Sequence, residues 1–327
     1  MKRLTLIIVL VMCASLALAA CVPAASAPSA EPAKKLKVAV SINTYNNFHK
    51  VLYEAIQKYA DANNIELQMV DAQGKADKQL TDVENLLASK PNGFILLPAD
   101  ATALGTAVDE IKKAGIPLVE SSTFTKNENF DAFVGANDTM VGNIQGEYIS
   151  SYLEKNPEAN LKCGYLRILL GSPLDKARYE GLIEKVQKYI DAKRFEIIAD
   201  RDGLATGDYS SSLSSAEDWM QAHPEMNCII GQNDGTAVAA LQAVIAAKRN
   251  GKVLVIGCDG EDPAISAIKD GNMSMTGLMQ PAVWGDTAIK TLVDLMNGKK
   301  VEKFILIPPK IITSENAGHV SNFTYSE

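Results

Sequence analysis

The sequence lacks the long basic stretches and most of the short motifs that mark nucleic-acid binders and common enzymes. Its 32 lysines and arginines stand against 39 acidic residues, which gives a formal net charge of -7. With no long basic run to form an electrostatic footprint, a nucleic-acid partner is excluded. The patterns HExxH, GxxxxGK[ST], GxGxxG and GxSxG are also absent from the sequence, so the usual metalloprotease, P-loop, dinucleotide and hydrolase sites are excluded.

Histidine is scarce, and its three positions, 49, 223 and 319, are far apart. A single SxxK match occurs at residues 266–269, but the SDN and KTG motifs that accompany it in the penicillin-binding class are missing. We interpret this match as a serine and a lysine on a helix surface. No catalytic residue and no cofactor are predicted.

Cysteine offers no metal site either. After residue 35 the cysteines are Cys163, Cys228 and Cys258, each beside an apolar run and without CxxC or metal-ligand spacing. Buried free thiols are one interpretation. A bridge between Cys163 and Cys228 is the other, since both come early in their predicted strands, and spacing alone does not decide between them.

The N-terminus has the form of an export signal. Lys2 and Arg3 precede an apolar run over residues 4–18, and small residues follow up to Cys21. The run is too short for a membrane span. Residues 18–21 resemble the lipobox of bacterial lipoproteins, in which the cysteine is lipidated and becomes the new N-terminus, so Cys21 is expected to anchor the chain; cleavage of a plain secretory signal nearby is the alternative. Residues 22–35 are rich in alanine, proline and serine, which predicts a poorly ordered tether.

A length of 327 residues with 47% apolar and 22% charged residues predicts about two globular domains. Beyond the tether, short apolar runs alternate with segments of helical period; the first helix carries apolar residues from Phe48 to Ala60 at i, i+3 and i+4 spacing, and residues 75–89 and 102–114 behave alike. Repeated strand–helix units predict parallel sheets with right-handed crossovers.

We take the polar run at residues 126–131 as a break in the middle of the chain and expect two doubly wound α/β lobes. The predicted strands are residues 37–41, 65–70, 93–97, 116–119, 165–170, 195–199, 227–230 and 253–257.

Ligands of such sheets bind at the carboxyl ends of the strands. The polar residues that follow the predicted strands are short hydrogen-bonding groups together with an aromatic residue, a set suited to binding and not to catalysis. They are Asn43, Asn46, Asn47, Phe48, Asp71, Gln73, Ser121, Ser122, Thr123, Gln232, Asn233, Asp234 and Asp259.

Several stretches resemble the periplasmic sugar-binding proteins of the ribose and galactose type, which feed ATP-driven transporters. They are VAVSINTYNNFHKVLYEAIQKYA, IELQMVDAQGKADKQL, AGIPLVESS, FVGANDTMVGNIQGEYI, CIIGQNDGTAVAALQAV and VLVIGCDGEDPAISAIKDG. The resemblance implies two Rossmann-like lobes joined by a three-strand hinge, with the ligand between them. It places residues 36–138 and 281–309 in an N-terminal lobe, and residues 139–280 and 310–327 in a C-terminal lobe.

The resemblance also implies a ligand-binding set. Phe48 would stack on the apolar face of a sugar ring, Arg178 in KARYEGL would donate to sugar oxygens, and Asp259 in IGCDG would accept from paired hydroxyls. Each has a structural alternative: core packing for Phe48, a surface ion pair for Arg178, a helix cap for Asp259. The complete predicted set is Asn46, Asn47, Phe48, Ser122, Thr123, Arg178, Asn233, Asp259, Met279 and Gln280; for Asn46 and Asn233 the alternative is also a helix cap.

The sequence departs from that family at three places. Ser122 and Thr123 stand where relatives carry an acid or amide followed by a basic residue, Gly207 stands where many carry a second stacking aromatic, and Met279 replaces a glutamine or asparagine. Tyr179 or Tyr209 is a candidate to replace the missing ring, and Gln280 to replace the missing amide. Residues 154–161 lack the DxDxDG calcium cage of galactose binders, so no metal is expected.

The resemblance therefore predicts a monomeric lipoprotein outside the cytoplasm that delivers a sugar or polyol to the permease of an ABC importer by hinge closure. Three other functions are alternatives to this one. A receptor that presents a sugar-derived signal to a membrane sensor would look the same in sequence, a lipid-anchored α/β enzyme would need a nucleophile and base that are not found, and a LacI-like regulator would begin with a helix-turn-helix.

Overall fold

The structure is a computed structural model that describes residues 35–205 and 209–326. The predicted signal peptide, the predicted anchor Cys21, the predicted tether up to residue 34 and Gly207 lie outside the described residues. The helices are α1 (Asn47–Ala62), α2 (Ala76–Ala88), α3 (Gly105–Lys113), α4 (Asp138–Lys155), α5 (Pro173–Asp191), α6 (Ser210–Ala222), α7 (Asp234–Ala246), α8 (Asp262–Lys269) and α9 (Pro281–Met296), with a 3₁₀ turn at Ala317–His319. The strands are β1 (Leu36–Ile42), β2 (Ile65–Asp71), β3 (Gly93–Leu97), β4 (Leu118–Ser121), β5 (Ala132–Gly135), β6 (Leu161–Arg167), β7 (Phe195–Asp202), β8 (Cys228–Gly231), β9 (Leu254–Ile256), β10 (Thr276–Leu278), β11 (Phe304–Leu306), β12 (Lys310–Ile312), β13 (Val320–Ser321) and β14 (Thr324–Tyr325).

The strands form two parallel sheets. The first has the order β11-β5-β4-β3-β1-β2 and the second the order β7-β6-β8-β9, and every pair within each sheet is parallel. Two antiparallel pairs, β10 with β12 and β13 with β14, complete the described strands. The predicted fold class, two doubly wound α/β lobes, is confirmed.

Three connections join the first sheet to the part of the chain around the second. They are residues 136–137 after β5, residues 279–280 after β10, and residues 307–309 after β11. This arrangement matches a three-strand hinge. The residue boundaries of the two lobes stay a prediction.

Helices cover both faces of the first sheet, which is why its strands are apolar without alternation. Val38 and Val40 pack with Trp284 and Leu292 on one face. Ala39 packs with residues of α2 and α3 on the other face. The carboxyl ends of β1, β4 and β5 lead into the segments that carry Asn46, Ser122 and Asn137.

Two predictions about secondary structure were wrong. Residues 126–131 are not a division of the chain, because they form the loop between β4 and β5 inside the first sheet. The strand predicted at residues 165–170 lies at Leu161–Arg167 instead; Leu169 has a left-handed backbone (φ 51°), and its side chain and that of Leu170 are each 57% exposed.

Strand β5 has four residues, and it was missed because the polar run just before it was taken as a break in the chain. The strands from β10 onward contain two or three residues each, too few to show a period. Within the described ranges, no helix has the length and apolarity needed to cross a bilayer.

Candidate functional site

A cavity of about 580 Å³ lies where the carboxyl ends of the two sheets face each other. That volume falls in the range of small-molecule sites. Seven of the ten predicted ligand-binding residues line it: Asn46, Phe48, Ser122, Thr123, Arg178, Asp259 and Met279.

Three predicted residues are not part of this lining. The Asn233 side chain caps α7 by accepting from the Thr236 backbone N–H, and its amide donates to the Tyr209 hydroxyl. Asn47 donates to the side chain of Asn322 at 3.0 Å, and Gln280 donates to the carbonyl of Pro308 at 3.1 Å. In the present conformation, these amides are used by the protein itself.

The first lobe contributes an aromatic wall at the start of α1. Asn46 caps this helix by accepting from the His49 backbone N–H, which fixes the first turn and places Phe48 at the cavity. The half-buried Phe48 ring packs edge-to-face against Trp284 and Phe323, each with ring centroids 5.5 Å apart. Phe48 therefore belongs to the core and to the cavity at once, and the two interpretations given for it in the sequence are compatible.

His49 and Ser122 form a neutral polar pair beside that wall. The buried His49 ring lies 2.8 Å from the Thr44 carbonyl through Nδ1 and 3.3 Å from Ser122 Oγ through Nε2. Burial lowers the pKa of His49, against the opposing effects of the Thr44 carbonyl and Asp71. A neutral ring with its proton on Nδ1 satisfies both contacts, because Nε2 then accepts from the serine hydroxyl.

The second lobe contributes a charged group, Arg178, which is 8% exposed. Its Nε donates to Asp138 at 3.0 Å and its Nη1 to the carbonyl of Gln232 at 2.6 Å. Burial opposes the charge, but the carboxylates of Asp259 and Asp138 outweigh burial and raise the pKa of Arg178. The guanidinium stays charged and is held in place without a ligand.

Asp259 faces Arg178 from the end of β9, in a loop with fixed backbone. Its N–H donates to Gly277 and its carbonyl accepts from Met279, although its φ of 140° is one that side-chain-bearing residues rarely adopt. The pKa of Asp259 is raised to about 7, mainly by burial. The positive charge of Arg178 lowers this pKa, and the negative charge of Glu261 raises it. Ser122 is also left-handed, with φ 70°, so strained backbone occurs on both sides of the cavity.

Asp234 is fully buried and holds this loop in position through hydrogen bonds. Its carboxylate accepts from the backbone N–H groups of Gly260 and Glu261 at 2.8 and 2.9 Å, and from the Thr276 hydroxyl. Burial, with the nearby charge of Asp259, raises the pKa of Asp234. The position of Asp259 thus depends on a second carboxyl group outside the cavity.

Gln232 supports Arg178 in the same way. Its side chain donates to the Tyr165 hydroxyl and to Asp175, and accepts from the Ile168 N–H at 2.7 Å. Every polar atom of this buried amide has a partner, so the carbonyl that receives Arg178 is rigidly placed.

Close helix contacts through glycine fix the arrangement within each half of the site. A Cβ at Gly142 would overlap the carbonyl oxygen of Arg178, so α4 and α5 approach backbone to backbone only because this residue is glycine. The approach brings Arg178 to Asp138. Gly285 does the same for α9 against α1, where a Cβ would overlap the Leu52 carbonyl, and thereby places Trp284 beside Phe48.

Sequence reasoning missed several residues of the lining. Asn137 and Asp138 stand at the start of α4, as Asn233 and Asp234 stand at the start of α7, and Asn137 caps α4 by accepting from the Met140 N–H. Both residues come just after β5. They would have been predicted as polar residues that follow a strand if β5 had been recognised. Trp284 and Phe323 follow no strand of the predicted set and carried no signal. The main cavity residues missed are His49, Asn137, Asp138, Glu261, Trp284 and Phe323.

Neither tyrosine proposed as a second platform contacts the cavity. Tyr179 lies under Arg167, whose guanidinium carbon is 4.5 Å from the ring centroid. Tyr209 packs against Gly235, where a Cβ would overlap its ring, and accepts from Asn233. Aromatic surface comes from Trp284 and Phe323 instead.

The site has the parts of a binding pocket. Arg178, Asn46 and Asn137 each have hydrogen-bond partners within the protein. Across the described ranges no cluster of three or more His, Cys, Asp or Glu side chains is arranged to hold a metal ion. Cys163, Cys228 and Cys258 are buried free thiols, so the bridge considered between the first two is not formed.

Comparison with known proteins gives the family. Residues 38–300 match the model of the periplasmic binding protein domain. The chain belongs to this family. It is 28% identical over 283 residues to the ribose import binding protein of Bacillus subtilis, and the aligned part covers 86% of this chain and 88% of that protein. It is 25% identical over 285 residues to a xylitol-binding protein of Mycolicibacterium smegmatis, covering 86% and 78% of the two chains.

A solved structure agrees with the same assignment. The ABC transporter solute-binding protein of Bacillus halodurans, crystallised with myo-inositol, superposes with a TM-score of 0.71 at 26% identity, over 87% of this chain and 96% of that one. The recognition of a sugar-type periplasmic binding protein from sequence is confirmed, and the protein is a binding protein and not an enzyme.

Proposed function

We propose that this protein is the substrate-binding component of an ABC importer and that it holds a sugar or sugar-like polyol between its two lobes. The observation that carries the proposal is the composition of the cavity, which has an aromatic wall on one side and the charged hydrogen-bonding groups Arg178 and Asp259 on the other. Relatives named for ribose and xylitol, and a structure with bound myo-inositol, support this class of ligand.

The aromatic wall suits the carbon–hydrogen face of a polyol. Phe48 offers a flat apolar surface, and aromatic surfaces pack well on apolar groups. The opposite side offers Asp259 as an acceptor and Arg178 as a donor. A hydroxyl group can donate to the first and accept from the second, so a ring bearing hydroxyls on its edge satisfies both.

The charges of the cavity favour an uncharged ligand. Arg178 is already compensated by Asp138 at 3.0 Å and by Asp259. A phosphorylated sugar would bring additional negative charge next to Asp138, Asp259 and Glu261, and would be repelled. Neutral sugars and polyols meet no such repulsion.

Hinge closure follows from a site divided between lobes. A ligand that bonds to Asp259 and packs on Phe48 binds the closed arrangement better than an open one, so it shifts the population toward closure; hinge closure of periplasmic binding proteins is a known example of such motion. We propose lobe boundaries at residues 36–138 with 281–309 and 139–280 with 310–327. The closed monomer would then be recognised by the transmembrane permease.

The family is one of periplasmic binding proteins, so the location is extracytoplasmic. We propose further that residues 1–20 are a signal peptide and that Cys21 carries a lipid that holds the protein at the membrane. Replacing Cys21 with alanine should move the protein from the membrane fraction to the soluble fraction of cells. Retention of the variant at the membrane would contradict the anchor.

The experiment that tests binding is a thermal-shift and calorimetric screen with D-ribose, xylitol and myo-inositol. A ligand that binds only the folded state raises its melting temperature, and at least one of the three should do so with a one-to-one stoichiometry. D-ribose 5-phosphate serves as the charged control and should have no effect. Absence of binding across the panel, or conversion of a bound sugar to a product, would overturn the proposal.

A further inference from the structure

The last strands of the chain form a hairpin with a strained turn. β13 and β14 pair through Val320 with Tyr325 and Ser321 with Thr324, which leaves Asn322 and Phe323 as the two turn residues. Their φ angles are 45° and 56°. Two positive φ values favour asparagine first and glycine second, so Asn322 fits the turn and Phe323 does not. A bulky residue in this conformation is held there by other contacts.

Phe323 packs in the apolar cluster around α8, and it also contacts the first lobe. Its side chain is buried, with 7% exposed, and its ring packs edge-to-face on Phe48 at 5.5 Å. Next to it, the Asn322 side chain accepts a hydrogen bond from Asn47 at 3.0 Å. The tip of the hairpin is thus attached to the first turn of α1, the turn that presents Phe48 to the cavity.

The rest of the C-terminal segment is attached to the other lobe. The 3₁₀ turn Ala317–His319 packs on α8, and Ala317 and Val320 share an apolar cluster with Ile265 and Ile268 of that helix. β12 pairs with β10. The segment therefore starts on the second lobe and ends on the first, and it brings Phe323 to the cavity from outside both sheets.

Phe323, Phe48 and Trp284 together make one apolar corner of the cavity. The Trp284 indole Nε1–H is buried and has no hydrogen-bond partner within the described part of the chain, and a buried donor without a partner calls for an explanation such as a bound molecule or water. A corner with two phenyl rings and an adjacent free donor is suited to a ring that has both carbon–hydrogen surface and hydroxyl groups.

We infer that Phe323 contacts the ligand and determines specificity, by giving the cavity a second aromatic surface that favours cyclic over open-chain polyols. The inference rests on the proposed function. A cyclic polyol is held rigidly and presents a continuous carbon–hydrogen face to the rings. An open chain has to be ordered before it can present the same face, and so gains less.

The test is calorimetric titration of the full chain with myo-inositol, D-ribose and xylitol, on wild type and three variants. Phe323→Leu keeps an apolar side chain and loses the flat ring, while Phe323→Gly removes the ring and suits the positive φ. Tyr325→Leu is the matched control, since Tyr325 belongs to the same hairpin and is stacked on His319, outside the cavity lining.

Both Phe323 variants should weaken the binding of the cyclic probe that wild type binds best by roughly three- to tenfold, the amount an aromatic contact supplies. Their affinity for xylitol should change less, and Tyr325→Leu should leave all affinities unchanged. A purely structural defect would lower the affinities for all probes alike and would follow the melting temperature.

The outcomes separate the two proposals. If wild type binds a cyclic probe and both Phe323 variants bind it equally well, or lose all probes equally, the role of Phe323 is overturned and the proposed function stands. If wild type binds none of the three, the proposed function falls and the role of Phe323 falls with it.

Discussion

The two halves of the cavity are built from different chemistry. The half on the first lobe consists of aromatic rings and neutral groups, with Phe48 and the His49–Ser122 pair as its centre. The half on the second lobe is a network of ionisable groups, in which Arg178 faces Asp259 and Asp234 supports the loop beneath. One side offers surface and the other offers directed hydrogen bonds.

The difference shows where each half obtains its rigidity. The aromatic half is held by packing, as Gly285 lets α9 approach α1 until Trp284 meets Phe48. The ionisable half is held by hydrogen bonds that form without a ligand, because Arg178 and Asp234 already have protein partners. Substitutions on the first side should therefore change affinity with little effect on pH dependence, and those on the second side should change both.

The largest effect is expected for Asp234→Ala. The substitution leaves the Glu261 N–H and the Thr276 hydroxyl without an acceptor, and the Gly260 N–H keeps only its longer contact with the Thr276 oxygen at 3.2 Å. Buried groups left unpaired cost about 1 to 3 kcal/mol each, so the free energy of unfolding should fall by about 3 kcal/mol or more in urea denaturation. The control is Asp262→Ala, an exposed neighbour in the first turn of α8, which should cost less than about 1 kcal/mol. Equal losses in the two variants would contradict the supporting role of Asp234.

The next effect concerns pH and a carboxyl group of the first lobe. Burial raises the pKa of Glu120 to about 7, against the bonds from Thr125, and its Oε1 has no partner in the described chain. Between pH 4.5 and 7 the unfolded chain releases this proton and the folded protein keeps it. The contribution of Glu120 to the free energy of unfolding is therefore fully present below pH 4.5. It is lost as the pH rises through 7, and the total loss is about 3 kcal/mol.

Urea denaturation from pH 4 to 8 checks this. Glu120→Gln should remove the Glu120 part of the slope and leave sugar affinity unchanged, since Glu120 is outside the cavity lining. Asp259 also makes the free energy of unfolding fall as the pH rises, between pH 3.8 and about 7. His49 has the opposite effect, because its pKa is lowered in the folded protein. The difference between wild type and Glu120→Gln isolates one group; identical slopes would show that Glu120 ionises normally.

Asp259→Asn should act on affinity. A hydrogen bond to a charged group contributes about 1.5 to 3 kcal/mol, so affinity for the sugar or polyol that binds should fall roughly ten- to hundredfold in calorimetry at pH 8. Because the pKa of Asp259 is about 7 without ligand, wild-type affinity should rise from pH 6 to 8, and that of the variant should not. Asp262→Asn changes an exposed neighbouring carboxylate and should resemble wild type. An unchanged affinity for Asp259→Asn would remove this residue from the site.

The smallest effect is expected for Ser122→Gly. Glycine suits φ 70° and should relieve strain worth about 1 kcal/mol, part of which is offset by the greater freedom of the unfolded chain. The hydroxyl contact with His49 is lost, so affinity should fall while stability stays level or rises slightly. Lys193→Gly has a similar φ of 57° on an exposed loop, and in the same thermal melts it should gain stability with no change in affinity.

Much of the fold could be predicted because buried parallel strands are visible as continuous apolar runs. β3, for example, was placed without error over Gly93–Leu97. The short strands of the hinge and the C-terminus have no period to detect. Packing decides their pairing, and β11 joins the first sheet beside β5 although 168 residues of chain, 136–303, separate them.

The site was predictable where a residue's position at a strand end was enough. Asp259 and Ser122 follow β9 and β4 and line the cavity. Asn233 occupies an equivalent position, but its amide is used by Thr236 and Tyr209, and a sequence does not show which hydrogen bonds are already taken. The Asn47–Asn322 contact joins residues 275 positions apart, so only the folded chain reveals that Phe323 reaches Phe48.

The placement of β11 and α9 has a consequence for the order in which the molecule is assembled. Strands β6 to β9 are contiguous in the chain, whereas the first sheet needs β11 at its edge and α9 over its face. A nascent chain that has emerged as far as α8 already holds the whole second sheet, while the first still lacks Trp284 and Leu292 from its core. The N-terminal half, although synthesised first, is completed only after α9 and β11 have emerged, and limited proteolysis of ribosome-bound chains that end after α8 should find β6 to β9 protected while β4 and β5 are still cleaved.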